Sequence, residues 1–391
     1  MKLETTLGKL QILLALVAQN TLYLIFLRIS KAPEHPKYST GVALAFVEGI
    51  KLFVCAIVVF FTGDTNLKLA AWDPLMTTLH PRDLARRISL FTRRVAQTSG
   101  PMAIPALIYS VQNMLVMQSA KYLPTVLLTA ANQTKIITTA FFSVTMLGRH
   151  LKRHQILAIP ILVAGVFLLS LPNPKQMATA TTTAAAALRQ QQQQQERQSN
   201  LLAGLLLMGG GVMCSGFAGV YTEKLLKNTR GPGLWARNAQ ISFYGVLSAL
   251  VWSIMGNKSG GGDHGSGIGD GGPGHLMYGF DLSVWLAVVL LAAGGLIVSL
   301  VMKYADNIVK GFSVGVSLCL LAVVSPIVFG DSFSFGNLIG IKLVISATFV
   351  YSGLTWRELT GGLKNHTTST SSSGVPPHHP HLRVPLAHAK P

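Results

Sequence analysis

Carboxylates are scarce in this chain: 14 Asp and Glu stand against 32 Lys and Arg, for a formal charge of +18, and only Glu48 lies near the middle of an apolar segment. That leaves little material for acid–base catalysis, or for proton or sodium coupling inside a membrane. Cysteine is equally sparse. Cys55, Cys214 and Cys319 each sit in an apolar segment without CxxC or Cys/His spacing, so they read as packing residues, and neither a disulfide framework nor a metal or cofactor site is indicated. HExxH and GxxxxGK[ST] are missing and no GxSxG elbow is present, since the one matching string, Gly311 to Gly315, lies inside an apolar run, so the chain does not read as an enzyme. Charge of either sign is rare too, at 12% of 391 residues, with 50% hydrophobic residues and a mean hydropathy of +0.45, which excludes an ordinary soluble globular protein.

Long apolar runs take the place of these features. A bilayer demands ~20 apolar residues per helix, and ten such segments lie near 10–27, 41–61, 102–120, 123–147, 155–171, 201–221, 239–255, 282–302, 308–329 and 337–355. The expected fold is therefore all-α and polytopic. The first segment ends at Arg28 without a small-residue cleavage pattern and reads as a span, not a removed signal peptide. The excess of basic residues follows loops, not aromatic platforms, so nucleic acid is not an expected partner. With a cytosolic N-terminus, one side collects Arg82, Arg86, Arg87, Arg93, Arg94, Arg149, Lys152, Arg153, Lys224, Lys227, Arg230 and Arg237, and the other side holds few. That bias suits an even span count with both termini cytosolic. Asn257-Lys258-Ser259, a glycosylation acceptor sequence, then falls in a lumenal loop.

Three polar stretches divide the chain. Residues 172–200, rich in Thr, Ala and Gln, separate a first half (1–171) from a second (201–355); a Gly-rich loop occupies 256–280; and 356–391 form a tail rich in Ser, Thr, Pro and His, expected to be disordered and cytosolic. Within the halves, 121–170 align with 303–352 without a gap, pairing Lys121-Tyr122 with Lys303-Tyr304, Ser143 with Ser325, Phe167 with Phe349 and Ser170 with Ser352. Five spans separate equivalent points, so the second copy runs through the membrane inverted. Ten helices in two inverted five-helix repeats are the expected architecture, a construction of secondary transporters with a midplane substrate site. Small-residue pairs, Ser215 and Gly219, Gly311 and Gly315, Gly336 and Gly340, read as helix packing.

A few polar residues stand out against this background. Lys135 lies inside the fourth apolar run, where an ammonium is costly unless it serves an anion, and Thr125, Asn132 and Thr139 share its stripe. Tyr109, Gln112 and Asn113 share a face of the third span, a ring and two amides suited to stacking on a base and reading its edge. Glu48 and Lys51, three residues apart, either neutralise each other or form a gating pair. Glu223 and Asp306, at span ends, read as topology markers. Lys303 rises above them because its repeat partner is Lys121.

Five strings carry a family resemblance: PALIYSVQN from Pro105 to Asn113, QTKIITTA from Gln133 to Ala140, CSGFAGVYTEK from Cys214 to Lys224, WARNAQ from Trp235 to Gln240, and the segment from Gly294-Gly295-Leu296 through Lys303-Tyr304-Ala305-Asp306-Asn307. In this order they resemble the nucleotide-sugar transporters, in the branch carrying UDP-galactose, UDP-N-acetylglucosamine and CMP-sialic acid, over residues 10 to 355. The resemblance implies the drug/metabolite transporter fold, Golgi or ER residence, and exchange of a cytosolic nucleotide sugar for lumenal nucleoside monophosphate. It also implies that Lys135 and Lys303 hold the phosphates and that Tyr109, Gln112, Asn113, Asn132, Gln133 and Tyr221 line the nucleotide pocket. Its tyrosine-rich pattern before Lys135 is altered here, with Leu128 and Asn132 at the tyrosine positions, which relaxes the expected base selectivity. Ala305, where CMP-sialic acid members tend to have Thr, favours a UDP-sugar, with galactose first and N-acetylglucosamine next. CMP-sialic acid transport, a transport-inactive scaffold of Golgi glycosylation and a proton-coupled exporter are the alternatives. Expected partners are the nucleotide sugar, the monophosphate and the bilayer, with a homodimer or glycosyltransferase association as further candidates.

Overall fold

The computed structural model describes residues 6–32, 38–63, 81–120, 122–123, 125–171, 184–228, 231–258, 277–331 and 333–353. Among the described residues the helices are, in order, α1 (Thr6–Ser30), α2 (Thr40–Thr62), α3 (Pro81–Gln97), α4 (Gly100–Ser119), α5 (Thr125–Gln133), α6 (Lys135–Leu147), α7 (Arg153–Ser170), α8 (Ala184–Lys227), α9 (Leu234–Lys258), α10 (Leu282–Tyr304), α11 (Asn307–Phe329) and α12 (Phe335–Ser352). No strand occurs among the described residues. The starts are set by side-chain caps that satisfy orphan amides: Asp281 accepts from Val284 N at 2.9 Å, Asp306 from Val309 N at 2.7 Å and Ser334 from Gly336 N at 3.1 Å. Gly148, Gly330 and Gly353 close α6, α11 and α12 in the left-handed region.

Among the described residues, eight helices are long and apolar enough to cross a membrane: Leu7–Ser30, Thr40–Thr62, Gly100–Ser119, Arg153–Ser170, Leu201–Lys227, Leu282–Tyr304, Asn307–Phe329 and Phe335–Ser352. Two expected spans are outside that set. Residues 125–147 are interrupted at Thr134, and α9 covers the other, 239–255, as one helix of 25 residues. The bundle is apolar outside and polar inside, as lipid requires: Phe53, Leu107 and Ile327 are exposed, whereas Glu223, Arg237, Asn238, Gln240 and Ser317 are buried. Two other differences from expectation concern the connections. Helix α8 reaches back to Ala184 through the Ala/Gln stretch, whose residues are good helix formers once a span has nucleated the helix. Residues 81–97, expected as a charged connection, form α3.

The sequence repeat reappears in the helix boundaries. The register that pairs Lys121 with Lys303 also pairs the first residues of α5 and α11, Thr125 and Asn307, and the last residues of α6 and α11, Leu147 and Phe329. It pairs both ends of α7 with both ends of α12, and Gly148 (φ 63°) with Gly330 (φ 66°). Packing follows the same exchange: α7 packs on α12, α2 on α9, α4 on α8 as α10 on α1, and α6 on α8 as α11 on α1. The closest approach of a mated pair is at Gly165, where a Cβ would come within 2.9 Å of Val344. A core of Ile136, Ala140, Leu162, Val166, Ile308, Phe312 and Val344 joins α6, α7, α11 and α12.

Candidate functional site

A cavity of about 110 Å³ opens where these four helices meet α4 and α8. Helical periodicity explains what faces it. From α11 come Asn307, Lys310, Gly311, Val314 and Gly315, one face at intervals of three and four; α6 supplies Lys135, Ile136 and Thr139; α7 supplies Leu162, Val163 and Val166; α8 supplies Ser215 and Gly219; and α4 supplies Tyr109. Gln133 closes the set at the end of α5.

Thr134 is the hinge of this wall. Its amide bonds to Ala131 O at 3.1 Å, its hydroxyl donates to the same carbonyl at 2.6 Å, and Ile137 N reaches back to Thr134 O at 2.9 Å, a three-residue turn that breaks the α-helical ladder. Helix α6 therefore starts at Lys135, inside the bundle, with its positive dipole end at the cavity beside the ammonium. Thr138 and Thr139 hydroxyls both donate to Lys135 O, at 2.9 and 2.8 Å. The Lys135 side chain is deep in the bundle yet accessible, because the cavity reaches it.

The second lysine of the cavity lining is Lys310; Lys303, expected there, is not in the lining. Lys303 lies at the end of α10 with its ammonium 5.5 Å from the Tyr304 ring centroid, away from the cavity lining. Lys310 is one turn into α11, and neither it nor Lys135 has a carboxylate within ion-pair distance among the described residues. Two like charges facing one small space are costly unless an anion joins them. The sequence did carry a signal: Lys310 lies two residues inside an expected span, but its repeat equivalent is Leu128, so repeat matching passes over it.

Of the residues expected in the pocket, Tyr109, Gln133 and Lys135 line the cavity, and the Tyr109 hydroxyl bonds to Thr222. Gln112 is half-buried with Oε1 unpartnered, Asn113 is exposed, and Asn132 is half-buried outside the lining. Tyr221 stacks on Phe217 at 5.9 Å, on the other face of α8 from Gly219. Leu128 packs toward Leu123, Met208 and Val212. Glu48 and Lys51 pair at 2.6 Å in the α2, α9, α10 region, against Gly245 and Gly295. Two of the three small-residue pairs read as packing alone, Ser215 with Gly219 and Gly311 with Gly315, prove to line the cavity; Gly340 of the third packs on Gly165.

Ionic networks stand at the two ends of α11, about 35 Å apart at 1.5 Å per residue. At its start, Glu223 is fully buried and accepts from Arg149 Nη2 at 2.7 Å, Lys227 Nζ at 2.7 Å and the backbone N of Asn307 at 3.1 Å. Arg149 also meets Asp306 at 3.0 Å, and Lys227 donates to Ala305 O at 2.6 Å. Glu223 and Asp306 thus bind loop, α8 and α11 into one lattice, beyond the topology role read for them. At the far end Arg28 holds Asp331 with two bonds, of 2.5 and 2.9 Å, and Ser325 bonds the same carboxylate. Arg28 keeps the Asp331 carboxyl below the ordinary range. A crevice of about 230 Å³ opens beside this pair, lined by Ser170, Leu171, Ser325 and Asn337.

Comparison with known proteins gives this geometry a context. The family model described as nucleotide-sugar transporter matches residues 4–352. The chain is similar to the UDP-N-acetylglucosamine/UDP-N-acetylgalactosamine transporter nstp-4 of Caenorhabditis elegans, 34% identical over 88% of this chain and 93% of the relative. It is 30% identical to the UDP-galactose/UDP-N-acetylglucosamine transporter srf-3 of the same organism, over 88% and 82%, and 32% identical to the UDP-N-acetylglucosamine transporter of Homo sapiens, over 86% and 92%. A protein of known crystal structure shares the fold alone, with a TM-score of 0.56 at 13% identity over 90% of this chain and 99% of its own. The chain is a multi-pass membrane protein and belongs to the nucleotide-sugar transporter family.

Proposed function

We propose that this protein is a Golgi antiporter that takes a UDP-sugar from the cytosol and returns a nucleoside monophosphate, through ten spans in two inverted five-helix halves with both termini cytosolic. The observation that carries the reading is the convergence of Lys135 and Lys310, one from each half, on a single cavity with no acid paired to either among the described residues. A diphosphate between them turns mutual repulsion into two attractions, and the start of α6 adds its dipole. Tyr109 offers a ring to the base.

The cavity is smaller than the roughly 300–1,000 Å³ of small-molecule sites, so this conformation is contracted around its centre. The Glu223 lattice seals the end near Lys310, and the crevice beside Arg28 and Asp331 marks the other. Alternating access then requires the lattice to part while the far end closes. Gly165 against Val344 and Gly219 against Asn307 are contacts close enough for helices to slide without side chains intervening.

N-acetylglucosamine appears in the names of all three relatives described above, and Ala305 favours a UDP-sugar; both UDP-N-acetylglucosamine and UDP-galactose are proposed cargoes. Leu128 packs away from the cavity, so its substitution for tyrosine gives no support to a transport-inactive scaffold. Purified protein in liposomes preloaded with UMP tests the exchange: faster uptake of labelled UDP-sugar than in empty liposomes is expected, and equal rates would refute antiport. Thermal stabilisation by UDP-, GDP- and CMP-sugars ranks the base, since a ligand stabilises in proportion to its affinity.

A further inference from the structure

Helix α3 takes no part in the cavity, and its composition differs from the spans around it. Pro81–Gln97 contains Arg82, Arg86, Arg87, Arg93 and Arg94 against a single acid, Asp83. Ile88, Phe91 and Val95 recur at intervals of three and four, which gathers them in one helical stripe and leaves Arg86 and Arg93 on the opposite face. The end of that stripe nearest α4 is used inside the protein. Phe91 and Val95 pack with Val59, Trp235 and Ala236, while Gln240 Nε2 donates to Val95 O at 3.0 Å and to the Thr98 hydroxyl at 2.8 Å. One turn earlier the helix leaves the bundle: Ile88 is 49% and Leu90 41% exposed, and Arg86 and Arg93 are exposed beside them.

Position and charge together identify what covers this surface. Helix α3 is fixed against the last turns of α2, through Val59, and joins the start of α4 through Thr98 and Ser99; both α2 and α4 are membrane-crossing in length and hydropathy. It is therefore held at the depth where hydrocarbon gives way to headgroups. It contacts the first turn of α9, which follows the loop after Lys227, at the end of the bundle that also holds Arg149 and Arg237. An aliphatic stripe on one face and the guanidinium groups of Arg86 and Arg93 on the opposite face, at that depth, match acyl chains on one side and phosphates on the other. Arginine suits it further, since its fork binds phosphate oxygens in pairs and its stem covers apolar surface.

We propose that α3 is an interfacial helix that binds the anionic phospholipid headgroups of the leaflet at this end of the bundle, with Ile88 inserted at the acyl boundary and Arg86 and Arg93 on the phosphates. The test uses the full chain with Ile88→Cys carrying a nitroxide, in vesicles of phosphatidylcholine alone or with roughly 30% phosphatidylserine; labelled wild-type protein supplies the background from its own cysteines. With phosphatidylserine present, the nitroxide at position 88 is expected to meet dissolved oxygen more often than a water-soluble nickel chelate. Arg86→Glu with Arg93→Glu should cut the immersed fraction at least about tenfold, since each basic residue near an anionic surface is worth roughly a fivefold factor. UDP-sugar uptake reports that the doubly substituted protein is folded. Access for the nickel chelate in both lipid compositions would overturn the proposal. So would immersion that ignores phosphatidylserine and charge reversal, or a label shielded from both reagents, which would mark contact with a protein or a second copy.

Discussion

Residues 125–147 and 307–329 begin and end in the same repeat register, and both stop at a left-handed glycine, Gly148 or Gly330. Yet the first is two helices broken at Thr134 and the second is one continuous helix. Each sends one lysine into the cavity, from different heights: Lys135 just after the break, Lys310 one turn from the start. The pseudo-symmetry is one of backbone, and the chemistry on it is asymmetric. Lys135 and Lys310 are not repeat equivalents, since the register pairs Lys310 with Leu128.

The largest effect in breaking this comparison should come from Lys135→Ala. Losing an ammonium that meets phosphate costs about 100-fold in uptake, measured in liposomes with protein shown to be folded by its melting curve; Lys135→Arg should recover part of it. Glu223→Ala separates the two segments at their ends, because Glu223 ties Arg149, after α6, to the first amide of α11. It should cost about 3 kcal/mol of stability, read in thermal unfolding. Gly219→Ala places a Cβ 2.4 Å from Asn307 Nδ2 and forces the start of α11 outward; a loss of roughly tenfold in uptake is expected, in the range of ~1–3 kcal/mol for overpacking. Thr134→Ala removes the hydroxyl bond that holds the break, worth about 1 kcal/mol, and should lower nucleotide affinity by roughly fivefold if the break positions Lys135. The smallest effect concerns the far end. Since Arg28 lowers the Asp331 pKa, the pair stabilises the protein above the ordinary carboxylate pKa, and that contribution is lost as pH falls through the lower folded-state value. Melting curves of wild type and Asp331→Asn should converge at that acidic end.

Much of this was legible in the sequence. Long apolar runs specify spans because lipid leaves the backbone no other partner than its own helix, and helix ends in the two copies of the repeat fall in the register that the sequence pairs, although the expected spans missed several of those ends by about two residues. Lys135, Tyr109 and Gln133 stood out in the sequence because polar groups in such runs are costly, and all three line the cavity. Other features depend on information that a single helix period does not contain. Tyr221 lies two residues past Gly219, so it faces away from the wall that Gly219 helps form. Gly219 and Gly315 resemble any packing glycines until neighbouring helices show which face is open. Glu223 resembles a span-end marker until Arg149, Lys227 and Asn307 surround it. Helix α3 was hidden by its own arginines, since a charged connection and an interfacial helix differ only in the spacing of Ile88, Phe91 and Val95.

The assignment of the second phosphate-binding cation rests on Lys310, and binding of UMP and UDP-sugar to Lys310→Ala and Lys303→Ala, each in the purified full-length protein, tests it most directly. Lys310→Ala should weaken UDP-sugar binding by about 10- to 100-fold, with Lys303→Ala within about twofold of wild type, as expected of a half-buried charge outside the cavity lining. Normal affinity in Lys310→Ala together with loss in Lys303→Ala would contradict it.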